Sequence, residues 1–404
     1  MIKNKLLISF LILIIFACDF EVDIVDPQFS DESILIGTSE IPKETKSEIE
    51  GVYSVISADK KFGDELVLKW NNGKLSVFGS KLGVYFILDG GIKDSTLFFE
   101  GIWRYALNTE TGLIRIQSTI TSNSIKLNGL YGDENDSPDT ELELTFERPF
   151  SEHVLENDYF IIAHRGGGRN SDYVGASENS LEILPFAELF GANGVEIDIK
   201  LSKDNIPFLY HDETINLRVT SDSPIWGDIE DFTFKQLSEF VILKNGERIP
   251  TLEETLNFIL DETELKFVWL DMKSEKNTMP AVISIQQEIL NKANDLGRDL
   301  EIFIGLPSEE KRDIFLEQND FENITSLCEL SIEDTRKTNS KIWAPRWTLG
   351  TQSNLVDIIH SEDRRAFTWT LDQADAISEF INVSKFDGIL TNYPTIVSYY
   401  YYAQ

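Results

Sequence analysis

The chain has 404 residues, of which 42% are hydrophobic and 11% aromatic, enough to bury one large core and, by length, two domains. Asp and Glu number 69 against 36 Lys and Arg, a formal net charge of −33. That sign excludes nucleic acid as a partner and leaves no basic face for anionic membranes, while two distant cysteines exclude a disulfide framework or a cysteine metal site.

Lys3 and Lys5 precede an apolar run, Leu6–Phe16, too short to span a bilayer and of the right length for a signal-peptide core. The run ends in Ile15-Phe16-Ala17-Cys18, which resembles a bacterial lipoprotein box. By that resemblance residues 1–17 are removed and Cys18 is lipidated, giving a membrane-anchored lipoprotein, periplasmic or exposed at the cell surface. Residues 18–48 are acidic and polar without clear period, which suits a tether.

Residues 49–150 show short alternating runs broken by turn residues. Glu65–Trp70 precedes Asn71-Asn72-Gly73, and Gly83–Leu88 precedes Asp89-Gly90-Gly91. Further runs are Lys74–Val77, Ser95–Phe99, Leu113–Ile116 and Glu141–Phe146. Asn-Gly and Asp-Gly between alternating strands signal hairpins. The expectation is a small antiparallel β-barrel or sandwich of roughly eight strands. It is similar in pattern to the lipocalin-like domains of bacterial lipoproteins, and no catalytic constellation falls within it.

From residue 151 to 404 apolar strand-like runs alternate with helical stretches, which argues for βα units and a parallel sheet. The strand candidates are Tyr159–Ala163, Val195–Ile199, Pro207–Tyr210, Phe267–Leu270, Ile302–Ile304, Ile324–Leu327, Ile342–Ala344, Ala366–Trp369 and Gly388–Leu390. Helices are expected at Leu181–Phe190, Leu252–Leu260, Met279–Leu296, Leu355–Asp363 and Gln373–Ile381. The fold class is therefore α/β, a TIM (β/α)8 barrel behind an all-β domain. One strand candidate is surplus, and Lys341–Trp347 is the segment considered for a loop at the barrel mouth, a choice the sequence leaves open. Cys328, within an apolar stretch, reads as core.

In such a barrel the chemistry sits at the C-terminal ends of strands. His164 ends the first strand candidate and His211 the third, so both are expected at the catalytic rim. Glu196 and Asp198 are two apart on the second, facing one side with Cα atoms roughly 6.5–7 Å apart. Two carboxylates facing one interior repel and desolvate each other unless a cation sits between them. The fourth strand candidate adds Asp271 and, two residues on, Lys273. Three carboxylates without cysteine form a hard oxygen site suited to one divalent cation, Ca²⁺ or Mg²⁺.

Ordered motifs then follow: His164-Arg165-Gly166-Gly167, Glu178-Asn179-Ser180, Gly191 to Asp198, Leu201-Ser202-Lys203-Asp204 and His211-Asp212. They continue with Ile249 to Glu254, Asp271-Met272-Lys273, Trp369-Thr370 and Asp387 to Pro394. Over residues 159–396 the chain resembles the glycerophosphodiester phosphodiesterase family, whose fold is a TIM barrel. The resemblance implies metal-assisted hydrolysis of a small-molecule glycerophosphodiester to glycerol 3-phosphate and an alcohol. It implies Glu196, Asp198 and Asp271 as metal ligands, and His164 and His211 as general acid and base in an order left open. Arg165 and Lys273 would stabilise charge developing on phosphoryl oxygens. Glu178 and Asn179 match the family Glu-Asn pair, which by the resemblance would orient the metal or the loop of His164 and border the substrate, and Trp369 would form part of the substrate pocket wall. Two other readings compete: a related phosphodiesterase of phospholipase C or D type, and a non-catalytic binding lipoprotein. Departures from the family pattern are Asp271 where glutamate is commoner, Asp372 where asparagine is usual and Asn392 where aspartate is usual. Pro185 requires the helix after Glu178-Asn179 to start late or bend.

Overall fold

A computed structural model describes residues 24–121 and 124–404, so the signal segment and Cys18 lie outside the described residues. Among the described residues no helix is long and apolar enough to cross a membrane.

Eight antiparallel strands close the first barrel in chain order: β1 (Gly51–Ser57), β2 (Glu65–Asn71), β3 (Lys74–Gly79), β4 (Val84–Lys93), β5 (Thr96–Tyr105), β6 (Thr111–Thr121), β7 (Ser124–Tyr131) and β8 (Thr140–Arg148). Asn72-Gly73 turns β2 into β3 with both residues at positive φ, 44° and 74°, the conformation this dipeptide favours in two-residue hairpins. Asp89-Gly90-Gly91, expected as a turn, lies inside β4; the chain reverses at Asp94-Ser95. The two glycines serve close approach instead. A Cβ at Gly90 would lie 2.8 Å from the Phe99 ring, and one at Gly91 2.1 Å from Thr38 Oγ1. Inside the barrel Phe62 packs edge-to-face on Phe86 and Trp103, at 5.0 and 5.4 Å between centroids.

Thr38 belongs to the stretch expected as a tether, and from residue 24 onward that expectation needs correction. Ile41 and Ile49 are buried in the β-barrel core, Lys43–Ile49 is helical, and Ser39 bridges Ile92. Two well-placed isoleucines outweigh the polar composition around them, since burying each side chain is worth about 1.5–3 kcal/mol.

Eight parallel strands form the second barrel: β9 (Phe160–Ala163), β10 (Gly194–Leu201), β12 (Phe267–Met272), β13 (Glu301–Leu306), β14 (Ser326–Cys328), β15 (Ile342–Trp343), β16 (Arg365–Thr368) and β17 (Gly388–Thr391), which pairs back onto β9. The surplus strand is β11 (Pro207–Leu209), antiparallel to β10 and outside the parallel ring. Ile342–Trp343, within the segment considered for a loop, is a stave. Only residues 202–206 separate β10 from β11, too few for the crossover a parallel neighbour requires. Leu184–Leu189 is the late-starting helix that Pro185 demands, with the proline in its first turn. Cys328 is fully buried.

Parity within the staves decides what reaches the mouth. Phe160, Ile162, Phe267, Trp269, Phe303, Leu327, Phe367 and Leu390 pack inside the barrel, while Ile161, Val195, Ile197, Val268, Leu270 and Ile304 face the surrounding helices. Two residues beyond inward-facing Ile162, Trp269, Leu327, Phe367 and Leu390 stand His164, Asp271, Glu329, Trp369 and Asn392. The two barrels share a core: Phe78 and Tyr85 of the first pack with Ala187 and Phe190 of the second. The Tyr85 and Phe190 rings meet edge-to-face at 5.6 Å, and Ser76 Oγ donates to the Leu189 carbonyl at 2.8 Å.

Candidate active site

β9 runs into a tight turn, His164–Gly166, in which Arg165 adopts φ 53°. That left-handed conformation, costly for a non-glycine residue, aims the Arg165 amide at Glu196 Oε2, to which it donates at 2.8 Å. The Asn392 backbone and side-chain N–H groups both donate to Asp372, each at 2.8 Å. The Asn392 amide oxygen is therefore left facing His164 Nδ1 at 2.8 Å. Because that oxygen only accepts, Nδ1 carries the hydrogen and Nε2 is free to exchange a proton. Nε2 stands 3.7 Å from Glu196 Oε2. Burial, seconded by Arg165, lowers the His164 pKa.

β10 turns Glu196 and Asp198 inward, where they are 1% and 0% exposed, and the register sets Asp271 of β12 directly beside Asp198. One oxygen from each of the three lies within 4.8 Å of the others. Glu196 Oε1, Asp198 Oδ1 and Asp271 Oδ1 are buried and accept no hydrogen bond among the described residues. Burial, then repulsion from Asp198 and Asp271, holds Glu196 well above the usual carboxylate range; burial also raises Asp271 against the pull of Lys273. The Lys273 ammonium lies 2.6 Å from Asp271 Oδ2 and 3.7 Å from Asp198 Oδ1. Burial works against its charge, yet the acids around it keep it protonated above its ordinary range. An all-oxygen, anionic, under-satisfied donor set fits a hard divalent cation.

Asn179, at φ 57°, grips Asp198 from behind: its amide donates to Oδ2 at 2.7 Å and accepts from the Asp198 N–H at 3.1 Å. Glu178 bonds Arg165 at 3.1 Å and Arg218 at 3.0 Å, and so ties two guanidiniums together beside the triad. His211 does not end a barrel stave, as its sequence position implied; it follows the antiparallel β11. The Tyr210 N–H, donating to the Asp198 carbonyl at 3.1 Å, keeps the segment against β10. His211 Nδ1 lies 2.6 Å from Asp212 Oδ1. Burial opposes the Asp212 charge, but Arg218, His211 and Asn216 together hold its carboxyl well below the usual range. Trp369 is half-buried, its indole N–H donating to the Ala344 carbonyl at 2.8 Å, with the Arg346 guanidinium 4.7 Å from its ring.

Against this geometry, the sequence model of the glycerophosphoryl diester phosphodiesterase family matches residues 164–396, from His164 to the segment just past Asn392. The chain belongs to the glycerophosphoryl diester phosphodiesterase family. A glycerophosphodiester phosphodiesterase of Caldanaerobacter subterraneus is 26% identical over 271 residues, covering 58% of this chain and 94% of that protein. Human glycerophosphodiester phosphodiesterase 1 is 38% identical over 103 residues, 24% of this chain and 28% of the human protein. Among solved structures, an Oleispira antarctica phosphodiesterase in complex with the product sn-glycerol-3-phosphate is 21% identical with a TM-score of 0.47, covering 59% of this chain and 95% of that one. A Parabacteroides distasonis glycerophosphodiester phosphodiesterase gives a TM-score of 0.48 at 19% identity, covering 61% and 98%.

In this phosphodiesterase four contributing residues were given no role in the sequence. Arg218 lies in a polar loop without periodicity, and nothing short of the fold brings it to Glu178 and Asp212. Glu329 was within reach, because it follows an apolar strand at the spacing that singled out Asp271. One of its oxygens is buried without a hydrogen-bond partner among the described residues, and burial, then Asp271, pushes its pKa well above the usual range. Asn392 and Asp372 were visible only as departures. Together they form a reciprocal pair, the acid one step further from His164 than in the family pattern.

Proposed function

We propose that this enzyme hydrolyses glycerophosphodiesters to glycerol 3-phosphate and an alcohol, using one divalent cation held by Glu196, Asp198 and Asp271. The observation that carries the reading is three carboxylates from adjacent staves, Glu196 and Asp198 buried and Asp271 half-buried, each with an oxygen that accepts no hydrogen bond among the described residues, converging within 4.8 Å beside an imidazole. When bound, the cation supplies Lewis-acid stabilisation of phosphoryl oxygens. Arg165 and Lys273 add positive charge at the same place. The partners of the two histidines differ and support a division of labour. His211 is held through Nδ1 by the Asp212 carboxylate, and it donates a proton to the departing alkoxide. His164 is backed by a neutral amide, which leaves Nε2 as an acceptor, so it takes the proton from the attacking water.

The closing experiment is turnover of a glycerophosphodiester panel with and without Ca²⁺ or Mg²⁺, followed by phosphorus NMR. Glycerol 3-phosphate as product, loss of activity in EDTA, and a loss of about 10²–10⁴-fold in His164→Ala and in His211→Ala are expected. A substrate with p-nitrophenol as leaving group needs no proton donor and should restore His211→Ala but not His164→Ala. A cyclic phosphate product would move the enzyme to the phospholipase D-type reading; EDTA-insensitive turnover would remove the cation. We also propose that Cys18 carries a lipid anchor outside the cytoplasm, on the strength of the sequence preceding it, with the lipocalin-like β domain as a spacer; the packed Phe62–Phe86–Trp103 interior favours that role over ligand binding.

A further inference from the structure

Lys200 follows Glu196 and Asp198 on β10 and, by the same two-residue period, faces their side of the strand. It is 4% exposed, so its side chain is almost wholly enclosed by protein apart from the cavity it lines. Among the described residues it enters no ion pair, and its only hydrogen bond is a long one, 3.5 Å, to the Lys273 carbonyl. Lys311 is its electrostatic neighbour, a second lysine whose pKa burial lowers and whose charge adds to the repulsion. A buried ammonium with two spare donors and a like-charged neighbour is costly unless an anion meets it. Lys200 lines a cavity of about 510 Å³ together with His211, Asp212, Thr214, Asn216 and Lys273. Within it, Asp212 is already matched by Arg218, His211 and Asn216, and Lys273 by Asp271. Glu213 also borders the cavity, from an exposed position. Among the described residues, the buried charge in this lining without an ionic partner is that of Lys200.

We propose that this cavity is a subsite for a second anionic group, a carboxylate or a phosphate, carried by the alcohol half of the substrate. The proposal rests on the reading above, in which His211 protonates the departing alcohol and therefore borders that half. It selects head groups that carry an anion, such as serine with its carboxylate or a further glycerophosphate unit, over choline, which brings a fixed cation and no anion to a lysine. A chain of net charge −33 requires such local positive groups to hold a doubly anionic diester.

The test compares kcat/KM of the wild type and of Lys200→Met on glycerophosphocholine, glycerophosphoserine and bis(glycerophospho)glycerol, the last two separating a carboxylate from a phosphate. The wild type should favour at least one anionic substrate over glycerophosphocholine by about tenfold, and Lys200→Met should lose about tenfold more on that substrate than on glycerophosphocholine, through KM. Wild-type preference for choline, or equal losses on all three, overturns the subsite. Calorimetric binding of glycerophosphoserine to the EDTA-treated protein separates this inference from the reaction itself. If no diester is hydrolysed, the reaction reading fails, yet binding that disappears in Lys200→Met upholds the subsite; binding that persists in Lys200→Met, or is absent in the wild type, overturns it.

Discussion

Glu188 stands away from the reacting centre and shows how one buried acid sets a pH dependence. It is 5% exposed, accepts the Glu264 N–H at 2.7 Å with one oxygen, and leaves the other without a partner. Burial, only partly offset by that bond, pushes its pKa up to about 7. A carboxyl raised in the folded state favours folding while protonated; its contribution is complete below about 4.5 and is lost as pH climbs through 7. Glu188→Gln should therefore melt higher than the wild type at pH 8, by about 1–2 kcal/mol after allowance for solvent screening, and nearly equal it at pH 4.5. Thermal denaturation at the two pH values measures this, and a shift of the same size at both would refute it. Nothing in the sequence around Ala187-Glu188-Leu189 marks this acid as buried; it occupies a helix of only six residues whose faces the pattern alone does not separate. By contrast Glu196, Asp198 and Asp271 were legible, because apolar neighbours on both sides of each left no reading but the inside of a sheet.

At the level of elements, the turn after β9 and the segment after β17 are locked by contact rather than by side-chain bonds alone. Gly168, at φ 64°, lies so close to the second segment that a Cβ there would be 2.4 Å from the Asn392 carbonyl oxygen. Gly168→Ala forces the two apart and, with them, the Asn392 amide from His164. The expected result is a fall in kcat of about tenfold or more with a melting loss of at least 1 kcal/mol; unchanged kcat in a folded variant would show that Asn392 does not hold the imidazole. Element types along the second barrel were mostly readable, the helix Met279–Leu296 to the residue, because long amphipathic periods are distinctive. The failure at β11 and β15 has a physical source. Pro207-Phe208-Leu209 and Ile342-Trp343 both read as short apolar strands, and strand propensity says nothing about direction. Loop length does: the brief connection Ser202–Ile206 permits only an antiparallel return, and weighing it would have exchanged the two assignments.

Across the whole molecule the apolar interior falls into separate bodies. One continues from the outer wall of the β-barrel into the helical shell, one fills the small barrel, one fills the parallel barrel, and a fourth lies between β10 and the helix Leu252–Glu262, built from Phe208, Tyr210, Ile215, Val219, Ile229, Leu237 and neighbours. The shared first body was not legible in the sequence, since the pattern near residue 151 marks only a boundary and the contacts that cross it, such as Tyr85 on Phe190, join distant segments. The fourth body carries His211, while the acidic triad belongs to the staves. Leu237→Ala, a fully buried truncation, costs about 2–5 kcal/mol within that body. It should depress turnover while leaving the affinity for the divalent cation within about twofold, as read by calorimetry; parallel losses in both would tie the two together.

Because β11 runs back along β10 instead of joining the ring, the group proposed to release the alcohol is mounted on an appendage with its own filling, and the groups proposed to grip the phosphoryl centre are mounted on the frame. Substitutions in that appendage can retune which alcohols depart without disturbing the grip, so descendants of this scaffold can diversify on one side of the scissile bond while the other side stays constant.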